Sequence, residues 1–180
     1  MIVSHDGAWC ICSPKKTATQ SLEGMLVPQF ASIVGEMHGS EWAGSGERIL
    51  VVRNPYERLA SMFWFALKSH ANDYRPALGA TEWCRRLLAD QYVNKSVARE
   101  WSRNQLQLAA EFRPSVTFRL EDGLMRVVNH VGVYVDEQRR NVTGDSKASR
   151  KPFAETFALA DESLRQAIDA WAAPDMEAWY

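Results

Sequence analysis

Short apolar runs alternate with longer amphipathic stretches along the chain. Residues 8–13, AWCICS, form an apolar run bounded by a glycine and a proline, which predicts a short buried strand. Residues 48–53, RILVVR, and residues 115–120, SVTFRL, predict two more strands, and residues 30–37, FASIVGEM, predict a further short one. Strands separated by helical stretches favour an α/β fold with a small parallel sheet.

The amphipathic stretches predict the helices. The first covers residues 19–27, with Thr19 as the expected N-cap. A second begins at Pro55 and continues to about residue 70. Further helices are predicted at 81–91, 94–112, 121–132 and over the last thirty residues, where Pro174 is expected to break the helix. Residues 137–152 are polar, basic and without periodicity, which is typical of a loop.

The length and charge of the chain limit the classes of function. A chain of 180 residues suits one domain with one core. Its net charge of −1 provides no global basic field, so we expect no nucleic-acid partner. The sequence contains no apolar run close to the ~20 residues of a membrane span, so we expect no membrane partner. The oligomeric state cannot be read from the sequence.

The N-terminus and the cysteines indicate a compartment. The first ten residues, MIVSHDGAWC, lack a basic region and carry Asp6 within the apolar part, which is not the pattern of a signal peptide. The three cysteines, Cys10, Cys12 and Cys84, are an odd number, which is typical of reduced thiols. We therefore expect a cytoplasmic protein, with Cys10 and Cys12 on one face of a strand as part of the core.

Residues 13–21, SPKKTATQS, join the first predicted strand to the first predicted helix. A turn that enters a helix offers unpaired N–H groups and the positive end of the helix dipole, and lysines and hydroxyls add further donors to an anion. The glycine pattern of nucleoside triphosphatases, G-x-x-x-x-G-K-[ST], is absent from this turn. The segment therefore predicts either a phosphate cradle of another type or a solvated basic turn with a good cap.

Residues 53–61, RNPYERLAS, follow a second strand in the same way. Arg53 ends the strand and can bind an oxyanion through two parallel N–H groups, and Ser61 lies eight residues further along a helix. In the alternative interpretation Arg53 forms an ion pair with Glu57 or Asp122, and Ser61 makes only packing contacts within the protein. Because ligands of parallel sheets bind at the carboxyl ends of strands, the two segments are expected to form one site.

KTATQS after an apolar strand, and VVRNPYERLAS with Arg and Ser eight residues apart, resemble the two cofactor loops of sulfotransferases that use 3′-phosphoadenosine 5′-phosphosulfate (PAPS). Residues 117–124, TFRLEDGL, and the C-terminal segment from SRKPFAETF to APDMEAWY are similar to the carbohydrate-type branch of that family. The resemblance spans nearly the whole chain. It implies a single three-layer, P-loop-like domain over 1–180, with a small central parallel sheet flanked by helices.

The resemblance also implies roles for individual residues. Lys16 takes the position of the catalytic lysine, with Lys15 as an additional cation, although which of the two points into the site is left open. Ala18 replaces the usual glycine, so the turn is expected to avoid a positive φ there. The residues expected to bind PAPS are Lys15, Lys16, Thr17, Ala18, Thr19, Gln20, Ser21, Arg53, Ser61, Arg150 and Lys151.

A base is needed to take the proton of the acceptor, and the family places a His or Glu after the first loop. His38 is the first candidate, since its ordinary pKa suits base catalysis near neutrality, followed by Glu36 and Glu41. Trp42, which lies in the same glycine-rich stretch, is a candidate platform for a sugar or other ring.

The reaction that the resemblance implies is transfer of a sulfuryl group from PAPS to a hydroxyl or amine of a small-molecule or glycan acceptor. The product is 3′,5′-ADP (PAP), and the reaction needs no metal. Two alternatives remain open from the sequence. One is a nucleotide-dependent phosphotransferase or kinase, with Glu121 and Asp122 as its metal-binding pair, and the other is a non-catalytic relative that keeps the nucleotide pocket.

Overall fold

The computed structural model describes residues 1–27, 30–34, 42–68, 79–89, 103–133 and 151–180. These residues fall into two compact units, each made from two stretches of the chain. The first unit contains the described residues of Met1–Arg53 and Gln107–Ala148, and the second contains those of Asn54–Leu106 and Ser149–Tyr180. One domain over the whole chain stays a prediction.

The first unit is built on a mixed sheet that has five strands among the described residues. In chain order the strands are β1 (Ile2–Ser4), β2 (Trp9–Cys12), β3 (Ala31–Ile33), β4 (Glu47–Val52) and β5 (Val116–Arg119). Their order across the sheet is β3-β1-β2-β4-β5. The α/β class that the sequence predicts is therefore confirmed.

The sheet is only partly parallel. β2, β4 and β5 run parallel, with Cys12 beside Leu50 and Val52 beside Arg119. β1 runs antiparallel to both β2 and β3, so the predicted small parallel sheet is confirmed only for β2, β4 and β5, and the sheet as a whole is mixed. The added strand β1 reaches β2 through a tight turn in which Gly7 has a φ of 69°.

The helices described are α1 (Thr19–Leu26), α2 (Pro55–Lys68), α3 (Gly79–Leu88), α4 (Gln105–Phe112), α5 (Leu124–His130), α6 (Phe153–Thr156) and α7 (Glu162–Trp179). A short 3₁₀ segment, Leu120–Asp122, precedes α5. The predicted helices agree with these elements in type, except that the helix predicted over the last thirty residues is two helices, α6 and α7, separated between Thr156 and Glu162. The predicted helix over 94–112 is described only from residue 103, and the predicted loop over 137–152 lies outside the described residues up to 150.

Side chains on both faces of β2 and β4 are buried, which explains their uninterrupted apolar sequences. Ile11 on β2 and Ile49 and Val51 on β4 share one apolar cluster with residues of α1 and α5. Cys10 and Cys12 alternate with Ile11 and are fully buried as well. The sheet is flanked by helices, and the carboxyl ends of its parallel strands are left to the loops that follow.

Cys10, Cys12 and Cys84 are all buried, and none of them forms a disulfide. Burial raises the pKa of Cys10 and of Cys84 from the ordinary value of 9.0 to about 12. The prediction that Cys10 and Cys12 are core residues is confirmed.

The second unit has its own apolar core, formed by α2, α3, α6 and α7. Phe63 of α2 contacts the rings of Trp83 and Phe157, with centroids 5.6 and 6.3 Å apart. Leu164 and Ile168 of α7 belong to the same cluster. The aromatic run of α2 is divided as its periodicity requires, since Phe63 is buried and Phe65 is 40% exposed.

Pro174 does not break the last helix, because α7 continues through it to Trp179. A proline inside a helix costs ~3 kcal/mol, and here burial on both sides of the proline offsets that cost. The buried residues of α7 recur at intervals of three and four, at Leu164, Ile168, Ala172 and Asp175. Packing of this stripe therefore overrides the local signal of the proline.

Candidate functional site

The turn between β2 and α1 is held together from within by three hydroxyl groups. Ser13, Thr17 and Thr19 are all buried. Ser13 Oγ donates to Thr17 O at 3.0 Å and lies 2.7 Å from Thr17 Oγ1, which itself donates to Pro14 O. Thr19 Oγ1 lies 3.0 Å from Ser13 Oγ and 3.1 Å from Ser13 O. The hydroxyls of Thr17 and Thr19 thus stabilise the turn, and only their backbone groups can face a ligand.

The backbone of this turn is unusual in two places. Lys16 has a φ of 72° and Ala18 a φ of 65°, both in the left-handed region. The expectation that Ala18 avoids a positive φ is therefore wrong. The N-cap of α1 is Ala18, and Thr19 is the first helical residue, so the prediction of Thr19 as N-cap is wrong as well. A left-handed N-cap costs about 1 kcal/mol for alanine, which the hydroxyl network around it offsets.

Three consecutive N–H groups are available at the start of α1. Those of Ala18, Thr19 and Gln20 have no acceptor among the described residues. The N–H of Thr17, by contrast, donates to Pro14 O at 3.1 Å. First-turn N–H groups point along the helix axis at its positive end, an arrangement that binds phosphate and sulfate groups.

Arg53 joins this turn from the neighbouring strand. It directly follows β4, which is parallel to β2, so both chains leave the sheet at the same edge. Arg53 Nη1 donates to the backbone carbonyl of Lys16 at 3.2 Å. The structure therefore brings together the two segments that the sequence singled out, with the Lys15–Lys16 pair and the Arg53 guanidinium on one edge of the sheet.

The remaining side chains of the turn differ in exposure. Lys15, Lys16 and Ser21 are half-buried, and Gln20 is exposed. The side chains of Lys15 and Lys16 are therefore partly covered by the protein.

Ser61 lies in the second unit, on α2. Its side chain is 4% exposed, and its Oγ has no hydrogen-bond partner among the described residues. Leaving a hydroxyl buried and unpaired costs about 1–3 kcal/mol. A ligand oxygen would satisfy this group.

Lys151 is an exposed residue in a segment that α2 anchors. Glu57 Oε1 accepts the N–H of Phe153 at 3.1 Å. Trp64 Nε1 donates to Thr156 Oγ1 at 3.0 Å, and that hydroxyl donates to the carbonyl of Lys151 at 3.0 Å. Glu57, Ser61 and Trp64 are four and three residues apart and so share one face of α2. The segment that carries Lys151 therefore runs along the face of α2 that contains Ser61.

The proposed bases and one cofactor residue cannot be placed. Glu36, His38, Glu41 and Arg150 lie outside the described residues.

Trp42 is described, and it lies at the other edge of the sheet from Lys16. The carbonyl of Trp42 accepts Arg48 Nη2 at 2.9 Å, and its ring stacks on the Arg48 guanidinium with 5.9 Å between the group and the ring centroid. Arg48 belongs to the amino end of β4, roughly 13 Å of strand from its carboxyl end. The prediction of Trp42 as a platform for a sugar or other ring therefore gains no support from its contacts with Arg48.

A surface depression also lies at the amino ends of β4 and β5. It is open, has a volume of about 430 Å³, and contains none of the predicted site residues. It is lined by Ser45, Gly46, Glu47, Arg48, Arg113 and Ser115. Since Arg48 is already bound to two carbonyls, at Trp42 and Phe112, this depression offers a poorer anion site than the opposite edge.

Sequence reasoning missed three polar residues that organise the two units. Ser13 is the centre of the hydroxyl network, although a serine before a proline gave no signal. Arg58 is 2% exposed, and its Nη1 donates to Arg103 O at 3.0 Å. Asp175 is fully buried. Its sequence position, directly after a proline in an amphipathic helix, did not indicate that its carboxylate is buried.

Among the residues that the structure describes, no cluster of three or more His, Cys, Asp and Glu side chains could hold a metal ion. In the same part of the chain, none of the helices has the length and apolar character needed to cross a membrane.

Comparison with protein-family models, with curated proteins and with solved structures found no match for this chain.

Proposed function

We propose that this chain transfers a sulfuryl group from PAPS to a hydroxyl or amine of an acceptor. The observation that carries the proposal is the contact between Arg53 and the turn that contains Lys16, at the carboxyl edge of two parallel strands. Such edges are where ligands of α/β sheets bind. PAPS carries anionic groups at both its 5′ and 3′ positions, and this edge presents cations on each of two adjacent loops.

The 5′-phosphosulfate is assigned to the turn after β2. The N–H groups of Ala18, Thr19 and Gln20 would bind its phosphate oxygens, with the dipole of α1 adding to the attraction. Lys16 would neutralise the charge on the leaving phosphate oxygen and on the sulfuryl group, with Lys15 as a second cation. Stabilising charge where it develops is the largest contribution in reactions of this type.

The 3′-phosphate is assigned to Arg53 and Ser61. A guanidinium recognises a phosphate through parallel N–H groups. Ser61 Oγ, buried and without a partner, is a hydroxyl that a phosphate oxygen would satisfy. The sequence resemblance, rather than a measured distance, joins Ser61 to this phosphate. The resemblance also assigns Arg150 and Lys151 to it.

The chemistry would be an in-line displacement. A bond forms between the acceptor oxygen and sulfur while the bond between sulfur and the 5′-phosphate oxygen breaks, and PAP leaves. The acceptor proton passes to a base, for which His38, Glu36 and Glu41 remain the proposed residues. Positioning and electrostatics dominate such transfers. Two cationic loops at one edge of a rigid sheet could supply both.

The proposal extends to the fold and to the setting of the reaction. A three-layer, P-loop-like arrangement would place the donor as in other nucleotide-dependent transferases. The acceptor would be a small molecule or a glycan, and three reduced thiols favour the cytoplasm.

A kinase would instead need a carboxylate free to bind Mg²⁺ at a strand end. The candidate pair after β5 is Glu121 and Asp122. The carboxylate of Asp122 binds the guanidinium groups of Arg119, at 3.0 and 3.2 Å, and Arg126, at 3.1 Å. A carboxylate shared by two arginines is a poor metal ligand, which favours the sulfotransferase over the kinase.

A pair of binding measurements with Ser61→Ala tests this assignment. We expect the variant to bind PAP about tenfold more weakly than the wild type, and to bind 5′-AMP, which lacks the 3′-phosphate, with unchanged affinity. Ser163→Ala, at an exposed position of α7, is the matched control and should change neither affinity. Equal affinity of wild type and Ser61→Ala for PAP would contradict the role of Ser61 at the 3′-phosphate.

A further inference from the structure

Arg53 fixes the backbone of the turn that carries Lys16. We infer that Arg53 is also a positioning residue for the 5′-phosphosulfate end of the donor, in addition to its proposed role at the 3′-phosphate. The identity of the bound donor rests on the proposed function. The effect of Arg53 on the turn concerns the ligand-free protein and does not depend on that proposal.

The peptide unit between Lys16 and Thr17 is held at both ends. Its carbonyl oxygen, on Lys16, accepts Arg53 Nη1 at 3.2 Å. Its N–H, on Thr17, donates to Pro14 O at 3.1 Å. Because a peptide unit is planar and rigid, these two bonds together set the direction in which the chain leaves Lys16.

This orientation is one that the local sequence does not favour. Lys16 and Ala18, on either side of Thr17, both have left-handed backbones, with φ values of 72° and 65°. Non-glycine residues keep such conformations only where surrounding contacts enforce them. The hydroxyls of Ser13 and Thr17 supply such contacts from the buried side, and Arg53 supplies one from the strand beside the turn.

The same bond has an electrostatic consequence. A carbonyl oxygen carries a partial negative charge, which would repel a phosphate or sulfate bound next to it. Pairing the Lys16 carbonyl with a guanidinium neutralises that repulsion. A guanidinium has five N–H donors in a planar fork, so one side chain can hold the carbonyl and still face a phosphate.

Arg53 and Ser61 should therefore behave differently when they are replaced. Loss of Ser61 removes a contact that only a 3′-phosphate makes. Loss of Arg53 removes that contact and also loosens the N–H groups of Ala18, Thr19 and Gln20, so ligands without a 3′-phosphate should bind more weakly too. This difference separates a positioning role from a simple contact.

Amide hydrogen exchange in the ligand-free protein is the first measurement. We expect the Thr17 amide to exchange about tenfold faster in Arg53→Ala than in the wild type, since a hydrogen bond to a charged group is lost. Ser61→Ala and the exposed Arg126→Ala should leave it unchanged. The Val51 amide, within the parallel sheet, serves as the reference for global unfolding and should not change.

Calorimetric titration with 5′-AMP is the second measurement. We expect Arg53→Ala to lower 5′-AMP affinity about tenfold, with Ser61→Ala at the wild-type value. Arg53→Lys keeps the charge but not the planar fork, and it takes the place of Arg53→Ala if that variant does not fold; an intermediate loss is expected for it.

The outcomes distinguish the two proposals. Wild-type exchange of Thr17 in Arg53→Ala, or unchanged 5′-AMP affinity, would overturn the positioning role while leaving the proposed function intact. If the wild type binds neither PAP nor 5′-AMP, the proposed function fails, and the exchange rate of Thr17 alone decides whether Arg53 holds the turn.

Discussion

Arg53 Nη1 lies 3.2 Å from the backbone carbonyl of Lys16, a residue 37 positions earlier in the chain. The bond exists because β2 and β4 are adjacent and parallel, so the loops after them meet at one edge of the sheet. The bond holds together the two cationic segments that contain Lys16 and Arg53. The proposed sulfuryl transfer depends on their proximity.

Replacement of the two lysines separates their roles. Lys16→Ala should lower the rate of PAPS breakdown about 100-fold or more, since it removes charge stabilisation at the leaving oxygen, whereas Lys15→Ala should lower it much less. Slow release of sulfate with water as the acceptor provides the assay without knowledge of the natural acceptor. A wild-type rate in Lys16→Ala would show that the catalytic lysine is misassigned.

The left-handed backbone of Ala18 predicts a stabilising substitution. Ala18→Gly should raise the free energy of unfolding by about 1 kcal/mol, because glycine adopts this φ without strain. The matched control is Ala167→Gly, at an exposed position inside α7, which should lower the free energy by about 1 kcal/mol. Urea denaturation measures both, and a destabilised Ala18→Gly would argue against the left-handed conformation.

Asp175 is the buried cap of α4. Its Oδ2 accepts the backbone N–H and the side-chain amide of Gln105, both at 3.0 Å, and its Oδ1 accepts the N–H of Leu106 at 2.8 Å. Asp175→Ala leaves these donors unsatisfied and should lower the free energy of unfolding by about 3 kcal/mol.

The control for Asp175 is Asp169→Asn on the exposed side of the same helix. Among the described residues, Asp169 accepts only the hydroxyl of Tyr56, at 2.9 Å, and asparagine keeps an acceptor oxygen there. The change should stay within about 0.5 kcal/mol. Equal denaturation midpoints for Asp175→Ala and wild type would refute the capping role of Asp175.

The pKa of Cys84 predicts how stability depends on pH. Burial raises this pKa from 9.0 to about 12, so between these values the thiol ionises in the unfolded chain and stays protonated in the folded one. Ionisation of the Cys84 thiol in the unfolded chain lowers the free energy of the unfolded state. The contribution of Cys84 to stability is therefore complete below pH 9.0 and is lost as the pH rises toward 12.

Thiol labelling offers a direct measurement of the same property. At neutral pH a thiol reagent should modify Cys10 and Cys84 of the native protein only at the rate of unfolding, and immediately in denaturant. Cys84→Ala should show a shallower loss of stability in alkaline solution than the wild type. Rapid labelling of both residues in the native protein would contradict their burial.

The sequence predicts the regular part of this fold well and the turn geometry poorly. The strands β2 and β4 are apolar runs with clear ends, so their place and their common edge follow from local pattern. β1 has only three residues, too few for a clear pattern, and its antiparallel orientation depends on the loop of residues 5–8 that joins it to β2. The continuation of α7 past Pro174 depends on packing that no local pattern contains.

The candidate site shows the same division. That Lys16 and Arg53 meet was predictable, because parallel strands share an edge. The positive φ values of Lys16 and Ala18 were not, because they depend on Ser13 and Arg53, which are distant from each other in the sequence. The inward direction of the Thr17 and Thr19 hydroxyls was likewise unpredictable. From sequence alone, hydroxyls in a basic turn could equally well donate to a bound phosphate or to the turn itself.

Calorimetric titration of the wild type with PAP, 5′-AMP and Mg-ATP tests the central claim most directly. The account predicts that PAP binds at least about tenfold more tightly than 5′-AMP or Mg-ATP, because a second phosphate meets charged and hydroxyl donors. Tighter binding of Mg-ATP, or no binding of any of the three nucleotides, would contradict the assignment of this site to a sulfuryl donor.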